Sequence, residues 1–166
     1  AGNRRFWGDE HPSTMKSIGS MGDLLIHQGK YEEAEVYLRE ALETQRRVLG
    51  EEHPSTLRSI GSVGNMLHRQ GKYGEAKPYY TEALETTRRV LGNEHARTLR
   101  AIGNMGNLLA VQGKFDEAEV YYAEELETSR RVLGDEHPST LASFGAIGNL
   151  LAGQGKYEEA KVYLRE

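Results

Sequence analysis

The phrase Gly-x-Glu-His opens at Gly8, Gly50, Gly92 and Gly134, a period of about 42 residues, which marks a repeat array. In such arrays no unit buries its apolar face alone, and each unit packs mainly on the next. The period is kept without insertions, and residues 8–49 and 50–91 are identical at roughly two-thirds of positions, too close for a diverged globular protein. The chain therefore reads as units 8–49, 50–91, 92–133 and a truncated 134–166. Residues 1–7 read as the end of a preceding unit's second helix, since Arg4-Arg5-Phe6-Trp7 aligns with Arg46-Arg47-Val48-Leu49. Tyr163-Leu164-Arg165-Glu166 matches Tyr37-Leu38-Arg39-Glu40, the middle of a helix, so neither end carries a polar capping unit.

Composition narrows the function classes. Hydrophobic residues are 37% and charged residues 28% of the chain, which suits thin, surface-rich packing. A net charge of −4 gives no basic footprint for nucleic acid. No apolar run is long enough to span a bilayer. There is no cysteine, which rules out disulfides, a thiol nucleophile and thiolate metal ligation, and fits a cytoplasmic protein.

Each unit carries two helical patterns. Proline at the first helical position loses no hydrogen bond, so the first helices are expected to start at Pro12, Pro54 and Pro138, with His11, His53 and His137 at the cap. Ala96 takes the proline's place in the third unit, so that start is expected to be less firmly set. Leu57, Ile60, Val63, Met66 and Leu67 follow at helical spacing, and Gly29, Gly71, Gly113 and Gly155 supply the left-handed residue that ends a helix. The second helix is expected from Tyr73 to Leu91, with Tyr73, Ala76, Tyr80, Ala83, Leu84 and Leu91 as its apolar line. Acidic residues in its first turn (Glu32, Glu33, Asp116, Glu117) and paired arginines in its last (Arg46-Arg47, Arg88-Arg89, Arg130-Arg131) match the helix dipole. Pro78, inside that helix, is expected to loosen or bend its start.

Two glycines recur inside every first helix: Gly19 and Gly22, Gly61 and Gly64, Gly103 and Gly106, Gly145 and Gly148. Each costs about 1 kcal/mol against alanine in a helix interior, so close packing must offset them. The later member of each pair falls on the seam between helices. The earlier falls nearer the opposite face.

These residues resemble the tetratricopeptide repeat, and more narrowly the form with the period of kinesin light chains. The second unit offers Ile60, Val63-Gly64 and Leu67, then Ala76, Tyr80 and Ala83. Gln70-Gly71-Lys72-Tyr73 and the Leu-Gly-x-Glu-His-Pro joint are also similar to kinesin light chains. Two departures are visible: leucine stands for the aromatic late in the first helix, and Glu125 for the second alanine in the third unit. The resemblance covers essentially the whole chain. It implies an all-α fold, an α-solenoid in which antiparallel helix pairs form a right-handed superhelix, with the first helices lining a concave groove.

Candidate chemistry is sparse. Gly-Lys in Gln-Gly-Lys-Tyr lacks the spacing of a phosphate loop and reads as a helix-joining turn. Equivalent Glu-His pairs (Glu10-His11, Glu52-His53, Glu94-His95, Glu136-His137) on stacked units would lie about 10 Å apart, too far to converge on a metal, and read as joint residues. His27 and His68 follow no such pattern, and a solvent-facing place is equally open to them. The Ser-Thr after each proline reads as first-turn polar residues rather than part of a triad. No enzyme, cofactor or metal site is expected.

The resemblance implies a peptide-binding groove. Its positions fall on Lys16, Gly19, Ser20, Asp23, Ile26 and His27 in the first unit, and on Arg58, Gly61, Ser62, Asn65, His68 and Arg69 in the second. In the third they fall on Arg100, Gly103, Asn104, Asn107, Ala110 and Val111, and in the fourth on Ala142, Gly145, Ala146, Asn149, Ala152 and Gly153. A basic column (Lys16, Arg58, Arg100) runs beside an amide column (Asn65, Asn107, Asn149) that Asp23 breaks. Asparagine can donate to and accept from a peptide backbone, and arginine attracts carboxylates. The early glycines would make a low floor. The expected function is a protein-interaction scaffold whose groove takes an extended, acidic peptide of a protein partner, with no nucleic acid or membrane involved. Gly61-Ser62, Gly103-Asn104 and Gly145-Ala146 stand where kinesin light chains tend to carry Asn-Asn, so their cargo preference does not transfer. Two alternatives stay open: self-association through end surfaces that include Phe6, Trp7, Tyr163 and Leu164, and a sensor region within a larger multidomain protein.

Overall fold

A computed structural model describes residue 8 and residues 10–164. Among these residues there are eight helices and no strands: α1 (Pro12–His27), α2 (Tyr31–Leu49), α3 (Pro54–Arg69), α4 (Tyr73–Leu91), α5 (Ala96–Val111), α6 (Phe115–Leu133), α7 (Pro138–Gly153) and α8 (Tyr157–Leu164). The tail expected over residues 1–7 lies outside the described residues. The chain divides into two compact units, residues 1–86 and 87–166, and the division falls inside α4.

Helix starts follow from the caps. The Nδ1 atoms of His11, His53, His95 and His137 accept from the backbone N–H two residues on, at 3.1–3.2 Å. This satisfies one of the donors that a helix start leaves without a partner. The third first-helix was expected to start less firmly for want of proline. It starts at Ala96 with the same cap geometry as its counterparts, because His95 supplies the bond that holds the end.

Helix ends follow from glycine. Gly29, Gly71, Gly113 and Gly155 have φ between 73° and 79°. The N–H of each bonds the carbonyl three residues back, and the N–H of the following lysine bonds the carbonyl five back, as in Lys30 to Leu25 at 2.9 Å and Lys72 to Leu67 at 2.9 Å. These paired bonds close the helix carbonyls in a Schellman motif, so Gln-Gly-Lys-Tyr is a helix-joining turn. Pro78 does not break α4, which runs unbroken through it. Pro78 and Gly74 are both exposed, so the Gly74 carbonyl that loses its N–H partner faces water.

The core of the first unit follows the expected apolar line. Leu57, Ile60, Val63, Met66 and Leu67 are buried, with Ala76, Tyr80, Ala83 and Leu84 from α4, while Tyr73, and Leu91 in the second unit, are only half-buried. Gly22 and Gly64 sit where a Cβ would come within 2.5 Å of Leu38 and 2.8 Å of the Tyr80 ring. In the second unit Gly106 and Gly148 sit likewise, 2.7 Å from Tyr122 and 2.6 Å from Leu164. The later glycines are therefore the seam residues.

The second helices carry a pattern of ion pairs. Arg46 of α2 reaches Glu82 of α4 at 2.5 Å in the first unit, and Arg88 of α4 reaches Glu124 of α6 at 2.6 Å in the second. Arg47 pairs with Glu10 at 2.5 Å, Arg131 with Glu94, and Arg130 with Asp135 at 2.7 Å. Glu10 and Glu94 of the Glu-His pairs are thus joint residues.

Candidate functional site

The faces opposite the seam are described unit by unit. In the first unit Lys16 and Ser20 line an open hollow of 510 Å³ on α1, with Ser13, Ser17, Met21 and Leu24. Asp23, Ser62 and Asn65 are half-buried, and Arg69 is exposed. Ile26, expected on this face, is buried at 3% exposure and belongs to the core. His68 is half-buried. Its ring lies 5.3 Å from Tyr73 and 6.2 Å from Tyr80. Burial, with help from the charge of Arg69, lowers its pKa, which favours the neutral imidazole.

The early glycines, expected to form a low floor, are of two kinds, two covered and two open. Gly19 is buried, and the Arg58 guanidinium closes over it, with Nη2 3.4 Å from where a Cβ would stand and Ala41 and Ser59 alongside. Gly61 and Gly145 have nothing within 4 Å of that position. Gly103 is buried beneath the carboxylate of Glu125, whose oxygens lie 2.8 Å from it. The reason is side-chain reach: at Gly19 and at Gly103 a long residue from a neighbouring helix folds across the bare backbone.

In the second unit the structure gathers several expected residues. Asn107, Ala110 and Val111 of α5 and Ala146, Asn149 and Gly153 of α7 share a cavity of 290 Å³ with Phe115, Tyr122 and Leu150. Two amides therefore flank an apolar floor. Tyr122 donates to Oδ1 of Asn107 at 2.6 Å, and burial pushes the tyrosine pKa up to about 12, keeping it a donor. With its oxygen engaged, Asn107 has its NH₂ left to donate. Asn104 is half-buried on the same helix and Arg100 is exposed one turn earlier.

Sequence reasoning missed what separates the cations. The last-turn arginines Arg46, Arg47, Arg88, Arg130 and Arg131 are all ion-paired. Lys16, Arg58, Arg69 and Arg100 make no ion pair among the described residues. Glu125 was visible as a departure from the repeat, but its position over Gly103 depends on rotamer and on the neighbouring helix. At the chain's other expected surface, Leu164 is exposed and Tyr163 is half-buried, 6.3 Å from the Phe144 ring; Phe6 and Trp7 lie outside the described residues.

Helix pairs that recur with small residues at fixed seam positions are the geometry of helical repeat arrays. A tetratricopeptide-repeat family model matches residues 13–89, 60–110 and 97–166. The chain belongs to the tetratricopeptide-repeat family. Solved structures agree on the tetratricopeptide-repeat fold. BtubC (BKLC) from P. vanneervenii is similar at 21% identity and a TM-score of 0.82, covering 92% of this chain and 61% of its own. The present chain thus spans less than two-thirds of that protein. Two crystal structures of a kinesin-light-chain-like protein of Podosopora anserina with nearly identical TPR-like repeats match at 24% identity. They cover 98% of this chain and 77% of their own, with TM-scores of 0.82 and 0.79. Among curated protein sequences, none matches this chain. No helix of the described residues is long and apolar enough to cross a membrane.

Proposed function

We propose that this tetratricopeptide-repeat protein is an interaction scaffold, not an enzyme, whose first-helix faces bind extended, acidic segments of a protein partner. One observation carries the reading: among the described residues, the four groove cations Lys16, Arg58, Arg69 and Arg100 are without an ion pair while five last-turn arginines of the second helices have one. A half-buried guanidinium such as Arg58 gains most from a carboxylate brought to it, because the pair is partly desolvated and the hydrogen bonds are charge-assisted. The amides beside them support the same reading. Asn107 and Asn149 flank a cavity of 290 Å³ with an apolar floor of Ala110, Phe115 and Leu150. Such a place suits one apolar side chain of an extended peptide, with the backbone held by the amides.

Calorimetric titration of capped decapeptide pools that differ only in aspartate and glutamate content tests the proposal. The acidic pool is expected to bind at least tenfold more tightly than the neutral one. Combined substitution Arg58→Ala, Asn65→Ala and Arg100→Ala is expected to remove that preference. Unchanged binding by the triple variant would show that these faces are not the site.

A further inference from the structure

Two periods apart, the same four positions have been rebuilt with opposite charge. In the first unit Gly19 is covered by the guanidinium of Arg58, with Ala41 and Ser59 beside it. In the second unit the corresponding residues are Gly103, Ala142, Glu125 and Ser143. Glycine and serine are retained. The arginine has become alanine, and the alanine of the second helix has become a glutamate whose carboxylate fills the space over the glycine, 2.8 Å from where a Cβ would stand. Any residue larger than glycine at 103 would displace it.

The environment of this carboxylate is incomplete. Ser143, whose hydroxyl also reaches the Ser139 carbonyl at 3.1 Å, is its hydrogen-bond partner, and the carboxylate makes no ion pair among the described residues; burial is the dominant influence and disfavours its charge. Glu124, its neighbour in sequence, is by contrast paired with Arg88 at 2.6 Å. Glu125 is half-buried rather than sealed, and Ala142, in the place of Arg58, is exposed. The arginine that covers this position in the first unit has no counterpart here, so the carboxylate has an open side.

We propose that Glu125, with Ser143 and the bare backbone of Gly103, forms a subsite for a basic side chain, a lysine or arginine of the bound peptide segment. The inference rests on the peptide-binding reading above and refines it for the second unit: the partner is acidic where it meets Arg100, and carries a basic residue where it meets Glu125. An incoming guanidinium would replace the hydration that burial has removed from the carboxylate and would make charge-assisted hydrogen bonds with it. Ala142 leaves room for the long side chain that Arg58 supplies internally in the first unit.

Selection of dodecapeptides from a random display library, run in parallel on the unsubstituted protein and on Glu125→Gln, tests this. Peptides selected on the unsubstituted protein should share one position enriched in lysine or arginine, and Glu125→Gln should lose that enrichment while the rest of the consensus stays. Synthetic peptides of the consensus should bind Glu125→Gln about tenfold more weakly, and exchange of their basic residue for alanine should cost about tenfold on the unsubstituted protein and almost nothing on Glu125→Gln. Glu125→Ala, which restores the residue found at Ala41 and Ala83, serves as a second, well-folding variant and should behave as Glu125→Gln does. A consensus with no basic position, or one whose basic position persists in both variants, would overturn this inference and leave the scaffold reading standing. Failure to select any peptide would overturn both.

Discussion

At Glu125 the repeat departs from itself, and the consequence is a titratable group in a place built for a methyl. Burial pushes its carboxyl from an ordinary 4.5 up to about 7, partly opposed by the Ser143 hydrogen bond. The groups facing it are the Ser143 hydroxyl, the Gly103 backbone and the neighbouring Tyr122, whose own pKa is raised mainly by burial and further by this carboxylate. Below about pH 4.5 both folded and unfolded chains hold the proton. Between 4.5 and 7 only the folded chain does, so stability falls as pH rises through that window. Above it the folded chain carries a half-buried charge that costs about 2 kcal/mol once solvent screening is allowed for. Glu125→Ala removes this dependence. Urea unfolding should therefore show the variant gaining on the parent by about 2 kcal/mol between pH 4.5 and pH 8. A stability difference that stays flat across that range would contradict the assigned environment.

At the scale of the element, the two glycines of each first helix have separate roles that one substitution each can distinguish. A Cβ at Gly64 would press into the Tyr80 ring at 2.8 Å, with Tyr79 at 3.3 Å, while one at Gly61 would meet nothing within 4 Å. Gly64→Ala gains about 1 kcal/mol in helix propensity but must shift a buried tyrosine, a cost of about 1–3 kcal/mol. Gly61→Ala keeps the propensity gain alone. Thermal unfolding should rank Gly61→Ala above the parent and Gly64→Ala below it; the reverse order would mean that the seam has been placed on the wrong face. Helix boundaries and the seam were legible in the sequence because caps, Schellman turns and apolar spacing are local and act within five residues. The early glycines were not, since what covers them comes from another helix: Arg58 over Gly19 and Glu125 over Gly103. Spacing places a residue on a face, but it does not say how far a long side chain folds back. The same limit hid the Arg46–Glu82 and Arg88–Glu124 links, which join residues 36 apart in sequence.

At the scale of the whole molecule, charge is sorted by role rather than by sign. The chain carries a net −4, yet the proposed binding cations Lys16, Arg58, Arg69 and Arg100 make no ion pair among the described residues. An acidic partner must approach a molecule that repels it on average, so its capture depends on these local cations and on their range. Salt acts on the two charge populations differently. The internal pairs, such as Arg47–Glu10 at 2.5 Å and Arg130–Asp135 at 2.7 Å, are largely exposed, and such pairs contribute about 0.2–1 kcal/mol each and tolerate screening with small loss. Attraction of an acidic peptide across open solvent is cut much more, because the screening length shrinks from more than 10 Å to less than 5 Å between about 50 and 500 mM salt. Over that range stopped-flow association with an acidic peptide should slow by about tenfold, with dissociation changed far less. The urea midpoint of the free protein should barely move. If association were independent of salt, the unpaired cations would have no part in capture, and the acidic character assigned to the partner would have to be abandoned.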